Sequence, residues 1–185
     1  MDSTNGQCSL FLCPAQHDFT LNNDSLITVL QAIGLLSNKI NTDEPEHRYY
    51  TGDQFLNHIS YMGCAPTTQF EASDANTNFC FIEIHHYDKA KLIHSKKQVR
   101  APHCPACRKP VKNWQKPSLA TTIQCEACGT TSGIKAFDWR KMAGYARLFI
   151  EVTDIFPKEA IPQPGLLNRL NKAFDTEWLY FYSCQ

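Results

Sequence analysis

The chain has 185 residues, of which 43% are hydrophobic and 11% are aromatic, so it can bury one ordinary core and is not expected to be disordered. Its formal net charge is zero, and no apolar run approaches the roughly 20 residues of a membrane-spanning helix, which argues against a membrane protein. The N-terminal residues, Met1 to Asn5, lack the basic segment of a secretory signal. We therefore predict a cytoplasmic protein, in which the nine cysteines would be reduced.

The first half of the chain predicts two strands and two helices. Apolar residues recur at helical spacing in two segments, and two other segments are short apolar runs typical of strands. The predicted elements are a strand at 8–13, a helix from Asn23 with Leu26, Leu30 and Ile33 on its apolar face, a helix from Asp53 to Met62, and a strand at 79–86. Residues 38–47 predict an exposed acidic loop between the helices.

The end of the chain predicts a strand, a helix and a final strand. Pro164 suits the first turn of the helix, because the missing N–H of proline is not needed there. The predicted elements are a strand at 148–156, a helix with Leu166, Leu170 and Phe174 on its apolar face, and a strand at 178–184. All of these elements together predict an α+β fold, in which a mixed or antiparallel sheet carries helices on one face.

Two cysteine pairs at matched spacing are the strongest motif in the sequence. Cys104 and Cys107 form one C-x-x-C turn, Cys125 and Cys128 form another, and 17 residues separate the turns. This spacing is typical of a zinc site. Zn²⁺ accepts four thiolates at about 2.3 Å, and a site filled by four cysteines is closed and structural. A merely buried or disulfide-linked set, and a rubredoxin-like iron site with the same ligands, are the alternatives.

Residues 100–133, with the knuckle sequences CPACR and CEACG, resemble the zinc ribbon family and its rubredoxin-type knuckles. The resemblance implies a small antiparallel unit around zinc. The order of the predicted elements makes this unit an insertion between two strands of the sheet. It implies no single activity, because zinc ribbons serve as nucleic-acid binders, as protein-docking modules and as structural supports. We predict that 1–97 and 137–185 form the α+β main domain and that 98–136 form the inserted ribbon.

Other residues that can carry chemistry are scattered. We expect the remaining cysteines to be unpaired and to pack as small apolar residues; they are Cys8, Cys13, Cys64, Cys80 and Cys184. His85 and His86 are adjacent on a predicted strand, so they point to opposite faces and cannot clamp one metal together. The acids Glu83, Glu151, Asp154 and Glu159 have no recognisable partner, and no catalytic motif is present. The sequence therefore gives no positive indication of an enzyme.

The charges are divided along the chain. Residues 1–88 contain 11 acids and two bases, whereas residues 89–125 contain nine bases and no acid. Such asymmetry suggests a contact with nucleic acid or with an acidic surface. The alternatives are that the bases form a solvated face or are neutralised by the acidic half of the chain. For Trp114, which lies among these bases, the alternative is that its ring only packs on the ribbon. The candidate partner-binding residues are Lys96, Lys97, Arg100, Arg108, Lys109, Lys112, Trp114 and Lys116.

These observations predict a zinc protein that acts as a non-catalytic binding or adaptor module. A protein partner is favoured over nucleic acid because the isoelectric point of the whole chain is near 7.0, not above about 9 as in typical nucleic-acid binders. The alternatives are RNA or DNA binding through the basic segment, and an enzyme or metal carrier with its site in the α+β domain.

Overall fold

The computed structural model describes residues 8–40, 47–61, 69–71, 79–96, 100–114, 122–155 and 160–184. The strands are β1 (Cys8–Pro14), β2 (Leu36–Lys39), β3 (Arg48–Thr51), β4 (Ile59–Tyr61), β5 (Phe81–His94), β6 (Thr122–Gln124), β7 (Thr131–Gly133), β8 (Ala143–Ile155), β9 (Ala160–Pro162) and β10 (Trp178–Cys184). The helices are α1 (Asn23–Ala32), α2 (Phe55–His58) and α3 (Pro164–Phe174). Among these described helices, none has the length and apolar character that a membrane span requires.

Six strands form one sheet in the order β10-β1-β8-β5-β3-β2, and each neighbouring pair is antiparallel. Two small antiparallel pairs, β4 with β9 and β6 with β7, lie outside it. The predicted strands near 79–86, 148–156 and 178–184 therefore belong to one sheet. The predicted α+β class is confirmed, and the described sheet is antiparallel rather than mixed.

The helices cover one face of this sheet. Side chains alternate between the two faces of each strand, and every second residue of the central strands enters a single core with the helices. Helix α1 contributes Leu26 and Leu30 to this core, and helix α3 contributes Leu166 and Leu170, each with no exposed surface. The sheet residues of the core include Leu10, Leu12, Ile82, Ile84, Leu148, Ile150 and Val152. The predicted apolar faces of both helices are confirmed.

The paired strands β5 and β8 are the longest elements, with 14 and 13 residues. The pairing register of β5 and β8 shifts between His86 and Lys91. Beyond this shift, the chain at the ends of the two paired strands, which we call the β5–β8 hairpin, reaches the edge strand β10. There the Tyr182 N–H donates to the Lys141 carbonyl over 3.0 Å, and the Lys96 N–H donates to the Cys184 carbonyl over 3.0 Å. The sheet therefore curls, and it encloses a second cluster of Phe11, Cys13, Ala146, Phe149 and Phe181.

Three element predictions are corrected. The helix predicted from Asp53 to Met62 is only one turn, Phe55–His58, because the chain then enters β4, where Ile59 pairs with Pro162. The strand predicted at 79–86 begins at Phe81 and continues to His94, because β8 supplies a partner that far. The predicted loop at 38–47 begins inside β2, and its residues 41–46 lie outside the described part of the chain.

The prediction that five cysteines are unpaired is wrong for two of them. Cys8 and Cys184 form a disulfide, because they are paired residues of the neighbouring strands β1 and β10 with Cα atoms 4.1 Å apart. Cys13 and Cys80 are free, and burial raises the pKa of each thiol to about 12, so both are inert. Cys64 lies outside the described residues. The cytoplasmic location, which rested partly on reduced cysteines, stays a prediction.

The burial of α3 can be tested by one substitution. Leu170→Ala should lower the free energy of unfolding by about 2–5 kcal/mol, because the side chain is fully buried between the helix and the sheet. Its exposed neighbour provides the control, since Arg169→Ala should change the stability by no more than about 0.5 kcal/mol. Urea denaturation followed by circular dichroism measures both. Equal, small effects would contradict the packing described here.

Candidate metal centre

The four cysteines of the two C-x-x-C turns lie at one point in the structure. The Sγ atoms of Cys104 and Cys128 are 3.8 Å apart, and those of Cys107 and Cys125 are 3.7 Å apart. All four Sγ atoms lie within 4.8 Å of one another. Four thiolates bound tetrahedrally at about 2.3 Å lie about 3.8 Å from each other. Since a disulfide requires about 2.05 Å, the geometry fits a bound metal ion and excludes disulfides within this set.

The two turns are hydrogen-bonded in the same way. In the first, the Cys104 N–H donates to the Lys109 carbonyl and the Arg108 N–H donates to the Cys104 carbonyl, both over 2.9 Å. In the second, the Cys125 N–H donates to Thr130 over 2.9 Å and the Gly129 N–H donates to Cys125 over 2.8 Å. The residue after each second cysteine has a positive φ, 58° at Arg108 and 74° at Gly129. Each turn therefore aims two sulfurs inward through the same backbone conformation.

The thiols differ in acidity. Hydrogen bonds from the Thr130 hydroxyl and backbone N–H lower the pKa of Cys128 to about 6. At Cys107 the Lys109 N–H also lowers the pKa, but desolvation and the three neighbouring thiols outweigh it and raise the value to about 11. Ionisation is therefore favoured at Cys128 and opposed at Cys107. A divalent cation at the centre would supply the missing positive charge, as metal-bound cysteines are deprotonated.

A second apolar core attaches the cysteines to the β5–β8 hairpin. Cys104 and Cys125 are buried in it, with exposed fractions of 1% and 2%. The Trp139 indole N–H donates to the Ile134 carbonyl over 3.0 Å, and His103 and Asp138 exchange two backbone hydrogen bonds. The other members of this core are Val111, Phe137, Ala143 and the partly buried Leu92, Cys107, Trp114, Ile123 and Ile134. Leu92 and Ala143 belong to β5 and β8, so the hairpin carries the cysteines.

We refer to the described residues 100–114 and 122–142 as the lobe. Four of the predicted partner-binding residues are exposed on it: Arg100, Arg108, Lys109 and Lys112. Lys96 is exposed at the end of β5, and Lys97 and Lys116 lie outside the described residues. Four of the five described basic side chains in this set therefore belong to the lobe. Whether they bind a partner stays a prediction.

Trp114 is half-buried rather than free. Its ring lies edge-on to Trp139 and to His94, with ring centroids 5.2 Å apart in each case. This position supports the alternative in which the tryptophan packs on the ribbon. His103, which precedes the first cysteine of the lobe, contacts the Arg140 guanidinium over 3.2 Å.

The lobe contains three more cations that the charge count along the chain missed. Lys135, Arg140 and Lys141 lie in a segment whose charges balance, so the sequence did not single them out. They line a cleft of about 520 Å³ between the lobe and the end of the sheet. The Lys141 ammonium lies over the Tyr180 ring, 4.1 Å from its centroid, and contacts its hydroxyl. The lobe thus has seven lysine and arginine residues against two acids, Glu126 and Asp138.

A second group of titratable residues was also missed. Glu83 and Glu151 have partners, contrary to the sequence-based view that they are isolated acids. The Arg48 Nε donates to Glu83 over 2.9 Å, and the His85 Nε2 lies 2.6 Å from the Glu151 carboxylate. His85 is half-buried and His86 is exposed, as the alternation of strand residues predicted. Only the pairing of β5 with β8 brings these acids together, because they are 68 residues apart in the sequence.

No family model matches this chain, and neither curated proteins nor solved structures provide a match. The likeness to zinc ribbons therefore depends on the knuckle sequences and on the four-cysteine geometry alone. The division of the chain into a main domain and an inserted ribbon stays a prediction.

The knuckle conformation can be tested at its two positive-φ positions. Gly129→Ala should destabilise the lobe by about 1–2 kcal/mol, because a non-glycine residue is strained in this region of φ. An added Cβ would meet no atom within 4 Å, so the cost comes from the backbone alone. Arg108→Gly should be neutral or stabilising, since glycine removes the same strain. The rate of metal release to a chelator measures both.

A matched control is available in α3. Gly165 also has free space around an added Cβ but lies in the first turn of a helix, where alanine is the better residue. Gly165→Ala should therefore leave metal release unchanged and should not lower the unfolding midpoint. If Gly129→Ala behaved like Gly165→Ala, the second turn would not have the described conformation.

Proposed function

We propose that this is a zinc protein in which one structural Zn²⁺, bound by Cys104, Cys107, Cys125 and Cys128, holds a ribbon that acts as a non-catalytic binding module. The observation that carries the proposal is the sulfur geometry: two Sγ–Sγ distances of 3.7 and 3.8 Å within a closed set of four thiols. A site filled by four protein ligands leaves no position for a substrate, unlike a catalytic zinc with three ligands and a water.

The two rigid turns and the small core of the lobe favour zinc over iron as the bound metal. Zn²⁺ has no redox chemistry and accepts the geometry that its ligands impose, so it suits a site built by two rigid turns. The lobe has only a small core of its own, and its strands β6 and β7 have three residues each. The small apolar core of the lobe supplies little folding free energy, and a metal that crosslinks the two turns supplies the rest.

The proposed partner is an acidic surface of another protein. The lobe has a surplus of lysine and arginine side chains, and Arg108 and Lys109 stand on the first turn directly after Cys107. Within the described residues, Arg108, Lys109 and Lys112 form no ion pair, so their charges are directed to solvent. This favours a surface that meets a partner over neutralisation by the acidic half of the same chain.

Nucleic acid is a less favoured partner because of Trp114. Single-stranded binders stack bases on exposed aromatic rings. Here the Trp114 ring packs edge-on against His94 and Trp139, which leaves it poorly placed to stack on a base. In this proposal, the positive field of the lobe attracts an acidic protein to the lobe and speeds its association.

The metal assignment predicts a defined stoichiometry for the lobe. Protein purified without added metal should carry about one zinc ion per chain in the four-cysteine site, measured by elemental analysis. Cys128→Ser should release that ion and loosen the lobe, whereas the sheet should remain folded because its core contains none of the four cysteines. Cys13→Ala, which removes a free thiol outside the site, should leave the zinc content unchanged. A ferric absorption spectrum in the purified protein would contradict the zinc assignment and show that the site holds iron.

The binding surface predicts a separation of binding from folding. Combined glutamine substitutions at Arg108, Lys109 and Lys112 should weaken partner capture at least tenfold, while zinc content and melting temperature stay unchanged. The loss follows because the three side chains are exposed and act through charge. Glutamine substitutions at Lys39, Arg169 and Lys172, which are exposed elsewhere, remove the same net charge and should leave capture unchanged.

Quantitative pull-down from extract with the two triple variants measures this effect. Titration with single-stranded RNA and duplex DNA at several salt concentrations is the parallel experiment. Tight binding with a steep salt dependence that the lobe triple variant abolishes would establish the nucleic-acid alternative instead. Equal capture by both variants would show that the charges of the lobe have no binding role.

A further inference from the structure

Two glutamates face each other on the sheet surface opposite the helices. Glu83 of β5 and Glu151 of β8 are directly paired residues in neighbouring antiparallel strands. Their side chains leave the same face, and only 15% of each is exposed. Like charges placed opposite each other destabilise a sheet, and partial burial strengthens their repulsion. This arrangement requires positive charge between or beside the two carboxylates.

Only part of that charge is supplied by described residues. Arg48 pairs with Glu83 through the Oε2 atom, which leaves Oε1 directed toward His85 at 4.0 Å from Nδ1. The other ring nitrogen of His85 lies 2.6 Å from the Oε2 atom of Glu151. One imidazole therefore lies between the two carboxylates, within reach of both.

The imidazole is held in position by aromatic neighbours. The Tyr87 ring is parallel to it at an interplanar angle of 1°, and the Phe11 ring approaches it with a centroid distance of 6.3 Å. Burial, then Glu151 and then Glu83 raise the pKa of Tyr87, so this phenol stays protonated beside the acids. A ring fixed in this way presents its nitrogens to the carboxylates without a search through rotamers.

The group opens on a cleft. His85 and Glu151 line a cavity of about 360 Å³, together with the apolar Phe11 and Leu92 and the ring of Tyr87. Polar residues of the same wall are His94, Lys96 and Ser183. A ligand bound there would face His85 and Glu151 on one side and open space on the other.

We propose that Glu83, His85 and Glu151 form a second metal site, which takes a divalent transition-metal ion and is separate from the four-cysteine site. One ligand atom from each residue lies within 4.8 Å of the other two, close to the spacing that a single ion requires. Two carboxylates and one imidazole suit Mn²⁺, Fe²⁺ or Zn²⁺, whereas thiolates select softer ions. Because His85 and Glu151 border the cleft, an ion held by the three residues would face open space there, which is the arrangement of an open site rather than a structural one.

Binding of a metal ion requires a nitrogen of His85 that carries no hydrogen. Without metal, the 2.6 Å contact between His85 Nε2 and Glu151 is a hydrogen bond through one hydrogen. Ligands at about 2.1 Å from a tetrahedral ion lie about 3.4 Å apart, so the pair must separate by less than an ångström. The nitrogen that takes the ion must carry no hydrogen, so the neutral ring binds with its single hydrogen on the other nitrogen, and the carboxylates bind as anions. Arg48 keeps its contact with Glu83 and orients that carboxylate from outside, as partners of metal ligands do.

The test uses the full chain with its four-cysteine site already filled with zinc and all free metal removed. Mn²⁺ is the probe, because it prefers carboxylates and imidazole and does not displace zinc from thiolates. Electron paramagnetic resonance of free Mn²⁺ should show about one bound ion per chain. Glu151→Gln, which keeps the shape of the side chain and an oxygen for hydrogen bonding to His85, should weaken the binding at least tenfold, and so should His85→Ala.

The controls separate ligand loss from misfolding and from nonspecific binding. His86→Ala removes the adjacent imidazole on the other face of β5, and Glu177→Gln removes an exposed acid elsewhere; both should leave Mn²⁺ affinity unchanged. Zinc content and melting temperature should stay constant in Glu151→Gln, which keeps the test valid if His85→Ala fails to fold. The proposal is overturned if the wild-type chain binds no Mn²⁺ beyond the level of Glu151→Gln, because a proton then holds the triad together. Equal losses in His86→Ala would overturn it as well.

Discussion

The antiparallel pairing of β5 with β8 is the constraint on which the other features depend. Its inner half places Ile82, Ile84, Ile150 and Val152 in the core under the helices. Beyond the register shift, the two strands lead into the lobe, and the chain next to their ends is hydrogen-bonded to β10. The same register sets Glu83 opposite Glu151. A slip of one residue would turn these acids into the core and the isoleucines outward, so burial on one face fixes the register strongly.

The helices and the four cysteines of the lobe are packed in separate apolar cores. The helix-facing core contains none of the four lobe cysteines, and the lobe core touches the hairpin through Leu92 and Ala143. Loss of a metal ion held by the four cysteines would therefore remove a crosslink within the small lobe and leave the larger apolar core intact. The disulfide between Cys8 and Cys184 joins the first and last described strands, where it adds a covalent link to the β1–β10 pairing.

The two candidate metal sites differ in ligand chemistry as well as position. Four thiols at the lobe form a closed soft site, and two carboxylates with one imidazole form an open, harder one on the sheet. These differences determine what each site can do: the first is suited to holding the fold of the lobe and the second to exchanging a ligand with the cleft. The exposed cations of the lobe add a third feature, and two of them, Arg108 and Lys109, directly follow the second cysteine of the first turn.

The sequence by itself determined the features that depend on short-range pattern. Helical spacing identified the buried faces of α1 and α3, and the C-x-x-C turns identified the four sulfurs, because the geometry of each turn is local. The tertiary structure alone decided which distant strands are neighbours. The Cys8–Cys184 disulfide, the meeting of Glu83 with His85 and Glu151, and the short helix that ends at β4 all depend on pairing partners far along the chain. No local pattern encodes those partners, since strand register is chosen by burial of the whole sheet face.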